Sequence, residues 1–295
     1  MYFLTMNRYI DRIDSLIKKI NPELFDLSKE RDPGRPPSQV SSFFLINKER
    51  GDWAEKTLLN AINSNSSKYI AVQYGKSDDI MAGEKGFKDF YEKYQQELDQ
   101  IGKRPDILIF EAKDGEKVEN ADIQNNPSSE VVKNAICGIE VRSSSFISQD
   151  YESYQKMKND SAKKGKSCKE LNFTPKVEDL KVVYKWVKTF DVPHYYVQFF
   201  WDKVYGISFE KILELLNEGT YHVSRFAKNQ KKKIVNIPLS SGFLLSSNVS
   251  EVNPENLKVG KKNLENGNLL FYVKFDRSEA VIKKDSFNSL FGIDL

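Results

Sequence analysis

Two stretches decide how this chain reads: Gly102-Lys103-Arg104-Pro105-Asp106-Ile107-Leu108-Ile109-Phe110, and Ala135-Ile136-Cys137-Gly138-Ile139-Glu140-Val141-Arg142. Each joins charge to a short apolar run, and such runs bounded by turn residues predict buried strands. The first strand is expected over Asp106–Phe110, begun by Arg104-Pro105. The second is expected over Ala135–Val141, with its charges at the end. Positions i and i+2 of a strand share a face, so Glu140 and Arg142 point the same way while Val141 packs behind. An acid and a base projecting from an apolar strand carry a desolvation cost unless something compensates.

Two explanations stay open on spacing alone. In one, Glu140 pairs with Arg142 or a neighbour at a strand end, and Asp106 is a turn residue after a proline. In the other, Asp106 and Glu140, 34 positions apart, jointly hold Mg²⁺ and the third residue neutralises phosphate charge.

Outward from this pair, Tyr69–Tyr74 predicts a strand. A helix opened by Gly51-Asp52-Trp53-Ala54-Glu55 is expected to run to about Ile62, and an acidic helix from Phe87 to Ile101. Beyond the second charged strand, Leu180, Val183, Trp186 and Val187 recur at helical spacing over Glu178–Thr189, and Pro193 stops the helix. Tyr195–Trp201 and Val204–Phe209 read as strands, the former as core with Gln198 its one polar interruption, and Glu210–Leu216 as a helix. Residues 2–31 predict one or two amphipathic helices, closed by the turn-rich Asp32-Pro33-Gly34-Arg35-Pro36-Pro37. From Gly219 on, short β-like runs predict either a β-rich subdomain or an extension of the central sheet. The chain therefore divides into N-terminal helices (1–37), a core (38–218) and a β-rich extension (219–295).

Composition removes several classes. The 295 residues are 39% hydrophobic and 29% charged, which excludes a disordered chain. No apolar run approaches the ~18–20 residues of a membrane span, and MYFLTMNRYIDRIDSLIKKI breaks its apolar residues as a helix does, not as a secretory leader does. Two cysteines, Cys137 and Cys168, point to a reducing compartment. With two histidines besides, His194 and His222, a Cys/His zinc site is nearly impossible and any metal is expected to be a hard cation held by carboxylates. No GxSxG elbow or GxGxxG is present, and Gly165-Lys166-Ser167 has Asp160 where a phosphate-binding loop needs glycine. The net charge of +3 conceals basic stretches: ten lysines in 151–190, including Lys163, Lys164 and Lys166, and Arg225, Lys228, Lys231, Lys232 and Lys233. These read as solvated surface or as a local nucleic-acid footprint.

The order of elements around the two acids, αβββαβ with the site on the second and third strands, resembles the PD-(D/E)xK nuclease core, a mixed α/β sheet flanked by helices. Longer strings are similar to the AccI-like group of type II restriction endonucleases: Gly51–Glu55, Gly102–Phe110, Ile139-Glu140-Val141-Arg142-Ser143-Ser144-Ser145-Phe146, Phe173–Leu180 and Val192–Gln198. The resemblance spans roughly residues 38–216.

The resemblance implies a Mg²⁺-dependent, site-specific endonuclease of double-stranded DNA in the cytoplasm of a prokaryotic cell. It implies Asp106 and Glu140 as metal ligands, the carbonyl of Val141 as a third, and Glu55 as an acid approaching from the first core helix. The chain departs from the pattern at Arg142, where the motif ordinarily has lysine. Arginine cannot serve as a base but can fork onto a phosphate oxygen, and with nine arginines against 36 lysines in the chain its presence there is notable. Lys176, before the helix that follows the third strand, is the first candidate for a relocated lysine. Asp78, Asp79 and Glu84 are candidates to reach a second cation. A homodimer is expected, since one chain offers one Asp106/Glu140 pair and a duplex has two strands. A structure-specific repair or recombination nuclease of the same fold, and a DNA-binding module without catalysis, remain as alternatives.

Overall fold

The computed structural model describes residues 8–27, 31, 36–75, 80–153, 171–220, 222–225 (backbone), 233–250, 257–275 and 279–295. Helix α1 (Tyr9–Ile17) is followed by α2 (Ser42–Asn65), β1 (Tyr69–Gln73), α3 (Phe87–Gln100), β2 (Ile107–Glu111), α4 (Gly115–Ala121) and β3 (Cys137–Ser143). Then come β4 (Asn172–Phe173), α5 (Val177–Phe190), β5 (His194–Phe199), β6 (Val204–Ser208) and α6 (Phe209–Glu218). The remainder supplies β7 (His222–Arg225), β8 (Lys233–Pro238), β9 (Phe243–Ser246), β10 (Lys258–Asn263), β11 (Leu269–Lys274) and α7 (Lys284–Phe291).

A six-stranded mixed sheet in the order β1-β2-β3-β5-β6-β9 organises the molecule. All its neighbours are antiparallel except β3 and β5, whose parallel pairing requires the crossover that α5 provides. Period-two alternation sorts the side chains into two cores. Ile107, Ile109, Cys137, Ile139, Val141, Val197 and Phe199 face α2 and α7, where Trp53, Leu58, Ile62, Phe287 and Phe291 are buried. Leu108, Phe110 and Tyr196 face the other way, against Ile13 of α1, Leu180, Val183 and Trp186 of α5, and Ile212 and Leu213 of α6. Among the described residues no helix is long and apolar enough to cross a membrane.

The strand expected over Tyr195–Trp201 ends at Phe199, the N-terminal helix described spans Tyr9–Ile17, and two further boundaries bear on the site. Helix α2 begins nine residues before Gly51, at a cap where Ser41 Oγ accepts from Phe44 N at 3.2 Å. Glycine inside a helix costs about 1 kcal/mol relative to alanine, a penalty outweighed by burial of Trp53, Ala54, Leu58 and Ile62 further along. Strand β3 continues through Ser143, so Glu140 lies in its interior and not at its end. The stretch from Gly219 is joined to the rest at several points: β9 extends the central sheet beside β6, β8 pairs with β4, and α7 packs on the α2 face. The β10–β11 hairpin lies against α2 and α3's approach, with Leu264 packed on Leu45 and Met81.

Candidate active site

The β2–β3 ladder runs from Ile109↔Cys137 to Ile107↔Ile139 and ends with Asp106 N donating to the carbonyl of Ile139 at 2.9 Å. One step further, the edge of β3 that faces β2 has no strand to pair with, and the amide of Val141 donates to Asp106 Oδ2 at 2.6 Å. The carbonyl of Val141 leaves the same edge of the strand as its amide, toward that opening. Pro105 can take its place because residue 138 is glycine: a Cβ there would stand 2.6 Å from Pro105 Cγ.

Glu140 is 3% exposed. Its Oε1 receives Lys103 Nζ and, at 3.1 Å, the Arg142 guanidinium, while its Oε2 is buried with no hydrogen-bond partner. Arg142 reaches across to Asp179 in the first turn of α5 at 2.8 Å. Glu55, on α2, faces Asp106 across a cleft of about 390 Å³ whose walls also carry Asp52, Lys103 and Tyr94. Lys48 pairs with Asp52 at 2.6 Å on the same helix.

Burial and the crowding of carboxylates set their protonation. Burial first, and then the charge of Glu140, pushes Asp106 up to about 7. Burial, then Asp106, Asp52 and Glu140, pushes Glu55 up to about 9. Burial would raise Glu140 too, but Lys103 and Arg142 together outweigh it and hold this acid below the ordinary carboxylate range. Asp179 is lowered in the same way: burial opposes ionisation, and Lys103, Arg142 and Lys176 prevail. Arg142 and Lys103 are both raised, the attraction of nearby acids exceeding the penalty of burial. His194, buried behind Glu140 with neither ring nitrogen hydrogen-bonded, is lowered to about 3 by burial and stays neutral at physiological pH.

Thus Asp106, Glu140, Arg142 and Glu55 come together, along with two residues that sequence reasoning passed over, Lys103 and Asp179. Both lie within the strings quoted above, Lys103 three residues before Asp106 and Asp179 one turn into α5. Lys176 caps α5, where its backbone bridges to Ile234 and its charge acts on Asp179; the lysine in contact with Glu140 is Lys103. Glu84 pairs with Lys262 at 2.9 Å under the β10–β11 hairpin. Lys233 Nζ donates to the carbonyl of Glu23. Asp78, Asp79, Lys163, Lys164, Lys166, Lys228, Lys231 and Lys232 lie outside the described residues, as does the side chain of Arg225.

Among the described residues no three His, Cys, Asp or Glu side chains form a ready-made metal cluster. The donors available to a cation are therefore two acids and a backbone carbonyl. Their chemistry fits a hard divalent ion: Glu140 Oε2 is a buried anionic oxygen without a partner, and Asp106 and Glu55, raised first by burial and then by neighbouring acids, sit where a cation would offset the cost of ionisation.

A mixed sheet flanked by helices, with two acids meeting where a strand pair opens, has the architecture of a nuclease core. The model of the AccI restriction endonuclease family matches residues 6–166 and 153–295, and the chain belongs to that family. No curated protein and no solved structure matches it.

Proposed function

We propose that this restriction endonuclease is a type II enzyme that hydrolyses double-stranded DNA at a short specific sequence, with Mg²⁺, leaving 5′-phosphate and 3′-hydroxyl ends. The observation that carries the reading is the opening of the β2–β3 ladder, where Asp106 is fixed by the Val141 amide and Glu140 keeps one buried oxygen unpartnered. Asp106, Glu140 and the Val141 carbonyl would hold the ion. When bound, Mg²⁺ supplies acidity to a water and positive charge beside the scissile phosphate. Glu55 adds a further acceptor on the opposite wall of the cleft, able to orient that water. Arg142 keeps Glu140 ionised and contributes positive potential where charge gathers on phosphate oxygens. The basic stretches around Lys163–Lys166 and Arg225–Lys233 would supply sequence-independent attraction to the DNA backbone, weakened steeply by salt. The working unit is a homodimer, whose twofold axis gives each strand of a palindromic site its own Asp106/Glu140 pair. A cytoplasmic location in a prokaryotic cell accords with this chemistry.

Digestion of a plasmid with Mg²⁺ and with EDTA tests the proposal. Discrete fragments with Mg²⁺ alone support it. Cutting confined to branched DNA would replace it with a repair or recombination nuclease, and binding without cutting would replace it with a DNA-binding module.

A further inference from the structure

Attack on a phosphodiester concentrates negative charge on the non-bridging oxygens, and a donor that stabilises it must be able to reach them. Of the two cations at Glu140, Arg142 is shared between two acids. Its guanidinium lies between Glu140 at 3.1 Å and Asp179 at 2.8 Å, with its Nε a buried donor that lacks a partner. Lys103 is salt-bridged to one acid, Glu140. It lines the cleft beside Asp106 and Glu55, and its ammonium has three donors, one of which meets Glu140 Oε1.

The chain around Lys103 is built to hold it there. Gly102 has φ +85°, and a Cβ on it would stand 2.4 Å from both Val182 O and Trp186 N, so the backbone is pressed directly onto α5. Lys103 N donates to Val182 O at 2.9 Å. On the other side Arg104 is buried, pairing with Glu97 at 2.7 Å and donating to the carbonyls of Tyr74 and Gln124. A side chain flanked by two such anchors is delivered to one place, and Lys103 leaves Glu140 Oε2 open.

We propose that Lys103 is a further catalytic residue, its ammonium bridging Glu140 Oε1 and a non-bridging oxygen of the scissile phosphate in place of a lysine at position 142. The inference rests on the nuclease reading above and adds the residue that touches substrate. Lys176, at the helix cap, is then a peripheral charge. Arg142 becomes a positioning residue that acts through Glu140.

The test compares wild type, Lys103→Gln, Lys103→Arg, Lys176→Ala and Asp106→Ala. Single-turnover cleavage of a plasmid with Mg²⁺ is set beside affinity for a duplex fragment carrying the mapped site, measured in EDTA. Lys103→Gln, which keeps a neutral donor to Glu140, should lose about 100-fold or more in rate while its affinity changes by less than about threefold. Lys103→Arg should recover part of the rate, and Lys176→Ala should stay within about fivefold of wild type. Lys103→Gln cutting within about fivefold of wild type, or losing affinity in step with rate, overturns the proposal. Cleavage by Asp106→Ala would sink the site assignment itself, and the proposal with it.

Discussion

The Asp106 carboxylate takes the place of a missing strand: its Oδ2 accepts from the Val141 amide at 2.6 Å, where β2 would have continued its pairing with β3. The acid is held by the backbone of the strand that carries Glu140, so the placement of Asp106 is tied to that strand. Asp106 cannot swing away without breaking that hydrogen bond.

Substituting Asp106→Asn or Glu140→Gln should abolish cleavage, by more than about 100-fold, while leaving the fold and DNA affinity in EDTA close to wild type. Each change keeps the side chain's shape and removes the anionic oxygen. Near-normal cutting by either variant would show that the acids serve the fold and not the reaction.

Glu55 gives the metal-free protein a pH signature. A carboxyl with a raised value in the folded chain stabilises the fold below its unfolded value, about 4.3, and that contribution is lost as pH rises through the folded value. For Glu55 that folded value is about 9, and Asp106 acts the same way up to about 7. In EDTA the melting temperature should therefore fall between pH 6 and pH 9.5, and Glu55→Gln should remove most of the slope above pH 7. Mg²⁺ should raise the wild-type melting temperature more at pH 8.5 than at pH 6. A flat profile in EDTA would contradict the crowding of acids on which this rests.

Gly102→Ala places a Cβ 2.4 Å from α5 backbone at a φ of +85°. It should destabilise the protein by roughly 1–3 kcal/mol or more, seen as a lower denaturant midpoint. A midpoint equal to wild type would mean that the 101–103 turn is free to move away from α5.

Sedimentation with an uncleaved cognate duplex in EDTA should give two chains per DNA. A one-chain complex that makes both cuts in a single binding event would refute the dimer.

Much of this architecture was legible because it is local. The apolar runs Ile107–Phe110 and Cys137–Val141 announce strands by their own residues, and the helical spacing of Leu180, Val183 and Trp186 announces α5. What was illegible depends on pairings between distant segments. Nothing in Phe243–Ser246 says that it joins β6 and not its neighbours in sequence, since a strand's partner is set by the sheet edge left open to it. The Lys103–Glu140 contact spans 37 positions, and no spacing rule links a lysine before one strand to an acid inside another. Lys176 is the candidate the sequence offers because it precedes the helix after the third strand, and nothing in Gly102-Lys103 announces that the turn against α5 brings Lys103 to Glu140. The early start of α2 was missed because Gly51 reads as a boundary, and its cap at Ser41 lies in an otherwise unremarkable polar run.

The placement of β9 and α7 bears on how the enzyme is made. Residues 243–246 and 284–291 cover the far edge of β6 and bury Phe287, Leu290 and Phe291 against the sheet that holds the acids. Until they arrive, a nascent chain that has already synthesised Asp106, Glu140 and Lys103 presents an unpaired strand edge and an uncovered apolar face. Long-range closures of this kind form slowly. A fragment ending near Gly242 would therefore leave the β6 edge unpaired and an apolar face bare, a surface prone to aggregation.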